Sequence, residues 1–269
     1  MNISISGNTR ILGIVGDPVA QTRAPQVWTE LFAANHIDAV CVPFHVHRHE
    51  LASFCNGYSA IRNLVGLIVT VPHKTEVMAL VNNLTPRAKE VGAVNLVRWD
   101  QDRKSVGDIV DGIGFVNGLV ASGHSLVGKR ALLVGAGGAG SAIAFAMKDA
   151  GIAEIAVSDK DSKRAAVLSS GLRAAGIASS IAPAVAGEFD FVINATPVGM
   201  APDDPVPVDL VGLKGDCVVA DVIMHPPTTR LLDLAEGRGC SIQRGEVMMR
   251  HQMQEIASFF GLPSVSDGC

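Results

Sequence analysis

The chain has 269 residues, 48% of them hydrophobic and 18% charged, which allows a sizeable core and excludes a disordered polymer. A net charge of -4 with no basic stripe gives no electrostatic case for a nucleic-acid partner. Cys41, Cys55, Cys217, Cys240 and Cys269 form no C-x-x-C pair, which speaks against a zinc cluster or disulfide framework and for a reducing compartment.

Met1 to Arg10 shows no basic segment followed by an apolar core, and no apolar run approaches a membrane span. The expected setting is therefore cytoplasmic, with no membrane partner. Residues 11–15 read as a buried strand, broken by Gly16-Asp17-Pro18. A loop over 19–25 leads to a helix near 26–35, then to a second strand over 38–44 closed by Pro43. Residues 50–58 read as helix, and 64–71 as a third strand ended by Pro72. Val77, Leu80 and Val81 predict a short helix, and Thr85-Pro86 starts another, with Thr85 as N-cap. Residues 94–99 and 104–107 can pair as a hairpin. Strands alternating with helices predict a mostly parallel α/β sheet.

Asp111-Gly112-Ile113-Gly114 reads as the crossing into a second domain. There the pattern is strand 131–135, helix 139–150, strand 154–158, helix 161–175, then strands over 189–194 and 218–221. An amphipathic helix near 246–260 can return to the first domain, with Val247, Met248, Ile256 and Phe259 as core positions. The expected division is 1–110 plus 246–269 against 111–245.

Gly135, Gly137 and Gly140 fit G-x-G-x-x-G in the required setting of strand, tight turn and helix. The first glycine permits the turn, the second lets backbone approach a pyrophosphate, and the third lets helix and strand touch. Ala136, Gly138 and Ala139 complete the turn, whose helix N-terminus offers free N–H groups to phosphate. Asp159 ends the next strand about 20 residues on, where an acid binds ribose hydroxyls. This predicts a Rossmann-type dinucleotide domain. With Asp159 and Asp161 repelling a 2′-phosphate, NAD is preferred; Lys160, Lys163 and Arg164 keep NADP possible.

Lys74 stands just beyond a strand end, where ligands bind in open α/β sheets. From position alone it reads as a solvated surface charge. Asp111 lies between apolar residues and glycine, and a buried acid needs a partner. A lysine beside such a carboxylate can carry protons. The alternating His45, His47 and His49, without an obvious acid behind them, read as a surface strand end, with no metal. Asp203-Asp204-Pro205 reads as a solvated loop.

Over nearly its whole length the chain resembles the shikimate dehydrogenase family. The matching stretches are 16–20, Val69-Thr70-Val71-Pro72-His73-Lys74, Gly92-Ala93-Val94-Asn95, 111–115, 135–140, Asn194-Ala195-Thr196-Pro197-Val198-Gly199-Met200 and 245–252, in the family's order and spacing. The resemblance implies an N-terminal substrate domain, a C-terminal Rossmann domain and an active site between them. It implies hydride transfer between a nicotinamide and a ring hydroxyl or ketone of shikimate or a related cyclic hydroxy acid, in aromatic amino acid biosynthesis. Lys74 and Asp111 would be the catalytic pair. Thr22, Arg23, Thr70, Asn95 and Gln252 would contact substrate, and Thr196, Val198 and Met200 would line the cofactor.

The departures from the family are as specific. Ala24 stands in place of a serine, Ile68 in place of an asparagine and Met224 in place of a tyrosine, while Ile109-Val110 replaces Asn-Thr. They predict a poor fit to shikimate, with a quinate dehydrogenase or another hydroxy-acid dehydrogenase as alternatives. A non-catalytic dinucleotide-binding regulatory protein is the alternative of another class, which retention of Lys74 and Asp111 opposes. The sequence leaves the oligomeric state open.

Overall fold

The computed structural model describes residues 4–263, so Cys269 lies outside the described residues. Among the described residues no helix is long and apolar enough to cross a membrane. The chain divides into two compact units. One holds the residues up to Val110 and from Met253 on, the other Asp111–Gln252. The return to the first unit thus falls inside the last helix, beyond Glu246.

The first unit contains β1 (Arg10–Gly16), α1 (Ala24–Ala34), β2 (Ala39–His45), α2 (Leu51–Ser59), β3 (Leu64–Val69), β4 (Asn83–Leu84), α3 (Pro86–Val91), β5 (Leu96–Trp99) and β6 (Ser105–Asp108). Its sheet order is β2-β1-β3-β5-β6-β4. Strand β1 runs parallel to β2 and β3, but β5 is antiparallel to β3 and β6. The short hairpin connection between β5 and β6 permits only antiparallel pairing, so this sheet is mixed. Pro43 does not close β2; it pairs with Ile14 inside the strand. As β2 is an edge strand, a missing N–H there need cost no ladder bond. The Thr85 hydroxyl accepts the Ala88 N–H at 3.2 Å as the N-cap of α3, and Gly92 ends that helix at φ 73°. Leu12, Ile14, Trp28, Phe32, Ile68 and Leu96 form the centre of one apolar core.

The second unit contains α4 (Asp111–Ala121), β7 (Arg130–Val134), α5 (Gly138–Asp149), β8 (Glu154–Ser158), α6 (Ser162–Ala174), β9 (Ala178–Ile181), β10 (Phe191–Asn194), β11 (Val218–Asp221), α7 (Arg230–Glu236) and β12 (Ser241–Gln243). Helix α8 (Gly245–Phe259) begins here and ends in the first unit. All strands are parallel, in the order β12-β11-β10-β7-β8-β9. Numbered from β7, that is the doubly wound order in which strand sequence reverses between β7 and β10, the switch point where such sheets bind ligands. The crossing into the second unit falls at Asp111, and residues 111–114 open α4. Burial pushes the Cys41 and Cys217 thiols up to about 12, so neither is a thiolate at neutral pH.

Candidate active site

In the second unit the glycine turn lies at the switch point. Gly135 has φ 105°, and a Cβ there would stand 2.8 Å from the Ala195 backbone. A Cβ on Gly140 would stand 1.9 Å from the Gly135 carbonyl oxygen, so α5 touches the strand end and only glycine fits. At Gly137 a Cβ would meet nothing within 4 Å, which leaves the approach to the α5 N-terminus open. Ala136, Gly138 and Ala139 are half-buried around it. The Asp159 carboxylate accepts the Ala136 N–H at 2.7 Å and the Asp161 N–H at 2.8 Å. That ties the end of β8 to the turn and leaves lone pairs on both carboxylate oxygens. Lys160 is exposed. Asp161 caps α6 through the Lys163 N–H and pairs with Arg164 at 3.7 Å, so its charge is partly answered.

Beside the turn, the loop 195–200 is held by a network that sequence reading missed. Asn194 is buried; its Oδ1 accepts the Thr196 N–H at 3.0 Å and hydroxyl at 2.7 Å, and its amide donates to the Val198 carbonyl. The Thr196 hydroxyl in turn accepts the Val198 N–H. Behind it, Asp221 accepts from Asn194, from the Thr229 hydroxyl at 2.8 Å and from the Ile223 N–H. Burial raises the Asp221 carboxyl above its ordinary value, and those three donors oppose the rise. Asp204 is not a merely solvated loop residue: its carboxylate accepts the Gly199 and Ala201 N–H groups, which also hold it below the ordinary range. Met200 projects outward at 37% exposure.

Asp221→Ala is expected to cost about 2–4 kcal/mol in urea unfolding, because it strands three buried donors at roughly 1–3 kcal/mol each before relaxation. The dinucleotide KM should rise with it. The raised carboxyl also has a sign. The folded state holds this proton more tightly than the unfolded state. Between the ordinary carboxylate value of 3.8 and the raised one, the Asp221 contribution to stability therefore falls as pH rises. The variant should lose that slope.

In the first unit Thr70, Lys74 and Asn95 are brought to one strand end. The Thr70 N–H donates to Val15, the Val69 N–H to the Asn95 carbonyl, and the Val94 N–H to the Lys74 carbonyl at 2.7 Å. Asn95 is buried, and its Oδ1 accepts the N–H of Val110, the residue before Asp111. Lys74 is half-buried. Thr22 is half-buried with its hydroxyl donated to the Val19 carbonyl, and Arg23 is exposed. In the second unit Asp111 is buried at the start of α4. Gln252 of α8 packs against Gly114 one turn along α4, and its Oε1 is buried without a hydrogen-bond partner among the described residues.

The sequence profile of the shikimate dehydrogenase substrate binding domain matches residues 14–97. A shikimate dehydrogenase (NADP(+)) of Symbiobacterium thermophilum is 36% identical over 91% of this chain and 87% of its own length. The chain belongs to the shikimate dehydrogenase family. As a member it is an oxidoreductase. A solved shikimate 5-dehydrogenase of Listeria monocytogenes, in complex with shikimate and NAD, superposes with a TM-score of 0.86 at 30% identity, covering 98% of this chain and 96% of its own. A ligand-free 5-ketofructose reductase of Gluconobacter sp. strain CHM43 superposes with a TM-score of 0.85 at 28% identity, covering 97% and 96%.

Three of the departures from the family's residues share one place. Ile68 and Val110 belong to the apolar core of the first unit, and Ala24 packs against it. Ile68 stands in register between Ile14 on β1 and Leu96 on β5, so the three side chains share one face. Met224 is half-buried after β11.

Proposed function

We propose that the first unit binds a cyclic hydroxy acid and the second a nicotinamide dinucleotide, and that the enzyme interconverts a ring hydroxyl and its ketone. When bound, the nicotinamide supplies the hydride acceptor or donor. Lys74 takes the hydroxyl proton in the oxidation direction and returns it in the reduction, with Asp111 as its partner. Thr70, Asn95 and Gln252 orient the substrate hydroxyls, the Gln252 Oε1, buried without a hydrogen-bond partner among the described residues, as an acceptor. Thr22 and Arg23 meet the acid group. The dinucleotide phosphates lie over Gly135–Gly140, and Thr196, Val198 and Met200 flank the nicotinamide. The observation that carries this reading is the glycine turn, closed to any side chain at Gly140 and open in front of α5.

For the cofactor we infer a preference for NAD. Curated relatives carry NADP in their names, and the Listeria structure holds NAD. Asp159 supports NAD here, because its carboxylate sits at the turn with lone pairs left for ribose hydroxyls and would repel a 2′-phosphate. The ratio of kcat/KM for NAD over NADP is expected to exceed one. Asp159→Ser should lower that ratio by about 10- to 100-fold, the worth of hydrogen bonds to a charged group. A wild-type enzyme that clearly prefers NADP overturns the role given to Asp159.

A second reading of the substrate is favoured by the apolar cluster holding Ala24, Ile68 and Val110. It is a ring hydroxy acid with fewer polar groups than shikimate, as in a quinate-type or other hydroxy-acid dehydrogenase. Turnover across a panel of cyclic hydroxy acids, with either cofactor, distinguishes the two. Dinucleotide binding without turnover on any of them would favour a regulatory protein instead.

A further inference from the structure

The alternating histidines that begin at the end of β2 take no part in the reading above. Along the chain Glu50 stands next to His49, and the fold brings a further acid to His45 and His47. Gly16 at the end of β1 is the register partner of His45 at the end of β2, so the next residue, Asp17, is brought to the histidines. Its Oδ1 lies 2.8 Å from His45 Nε2 and its Oδ2 lies 3.1 Å from His47 Nδ1. One ligand atom from each residue falls within 4.8 Å of the other two.

We propose that Asp17, His45 and His47 bind a divalent transition-metal ion of the zinc class. Two imidazoles and a carboxylate suit zinc, cobalt, nickel or copper, whereas magnesium and calcium favour all-oxygen sites. Zinc bonds of about 2.0–2.2 Å in a tetrahedron place neighbouring donors roughly 3.3 Å apart, so small side-chain rotations admit the ion. Three protein ligands leave a fourth position for water.

The backbone beneath the three ligands is already fixed. The Asp17 N–H donates to the Val71 carbonyl at 3.0 Å. Val46, between the histidines, is buried. Its N–H donates to Gly16, and its carbonyl accepts Nε2 of the fully buried His73 at 2.8 Å. With an extended backbone, anchoring Val46 inward turns both neighbours outward to the same side. The histidine side chains are 53% and 60% exposed, so the ion has an open path from solvent. A site held in this way loses little conformational freedom on binding. The ion would clamp the start of the loop that carries Thr22 and Arg23 to the end of β2. This site is independent of the dehydrogenase reading.

The test uses the full-length chain without a histidine tag, stripped with chelator and titrated with zinc chloride by calorimetry. One ion per chain is expected, with a rise in melting temperature of several degrees. Cobalt(II) should give visible d–d bands without the intense near-ultraviolet charge transfer of a thiolate ligand. His47→Ala should lose the ion and the temperature rise while keeping the metal-free melting temperature, since that side chain is exposed; Asp17→Asn serves as the second variant. Absence of zinc binding, an unchanged stoichiometry in both variants, or a thiolate charge-transfer band overturns the proposal.

Discussion

Lys74→Ala is expected to lower kcat by about 10²- to 10⁴-fold, the usual contribution of a general acid–base group, and to leave dinucleotide affinity nearly unchanged. The two effects separate because Lys74 belongs to the first unit and the glycine turn to the second. The backbone at Lys74 is held by the Val94 N–H, so removing the side chain should not move the strand end. Lys74→Arg should be nearly as slow as the alanine variant. A guanidinium keeps the charge but cannot give up its proton. If the arginine variant recovers most of the turnover, the lysine acts as a fixed charge and the proton-transfer role is wrong. Asp111→Asn should lower kcat as well, and the double variant should be little worse than the worse single one, because groups that act as a unit are not additive. Steady-state kinetics and quenching of reduced-dinucleotide fluorescence measure the two quantities.

The four inner strands of the second unit, with α5 and α6, were legible in the sequence because their signals are local, whereas α4 and α7 were not predicted. A buried parallel strand is a continuous apolar run, and the turn that follows requires glycine. The strands it hid, β9 and β12, are the short outer strands of the sheet, and the exposed residues of β9 carry no apolar run. The first unit was less legible because its sheet is mixed: the long connection over residues 70–95 allows β5 to run with or against β3, and periodicity does not report which. Pro43 misled for a related reason, since a proline at an edge strand reads in sequence like a strand end. Among candidate site residues, Lys74, Asn95 and Asp159 stand in motifs. Asp221 does not, and Asp17, although inside the matching stretch 16–20, carries no signal there for its histidine partners. Each acquires its partners only when strands far apart in sequence become neighbours, Asp221 beside Asn194 and Asp17 beside His45.

Shikimate is expected to be a poor substrate, with kcat/KM below the usual range of about 10⁴–10⁸ M⁻¹s⁻¹. A carboxylate or hydroxyl removed from water must be met by hydrogen bonds, and each one missing to a charged group is worth roughly 1.5–3 kcal/mol. In the first unit, polar positions of the family are taken by Ala24, Ile68 and Val110, and all three join one apolar cluster with Trp28, Phe32 and Leu96. Substitutions gathered in one cluster in this way describe a region remade as a whole. Ile68→Asn alone would therefore place an amide among Ile14 and Leu96 and cost stability without restoring recognition. Ala24→Ser is the informative reversal. It returns one hydroxyl at a half-buried place at the start of α1, where serine is compatible with the helix entry. It should raise kcat/KM for shikimate about tenfold, the worth of one hydrogen bond of about 1.4 kcal/mol. The exposed Arg23 beside it can pair with a carboxylate, so Arg23→Ala should lower activity on every acid substrate in the panel. A wild-type kcat/KM for shikimate inside the usual range, with Ala24→Ser bringing no gain, would show that the apolar cluster does not face the substrate and that the lost polar groups have been replaced elsewhere.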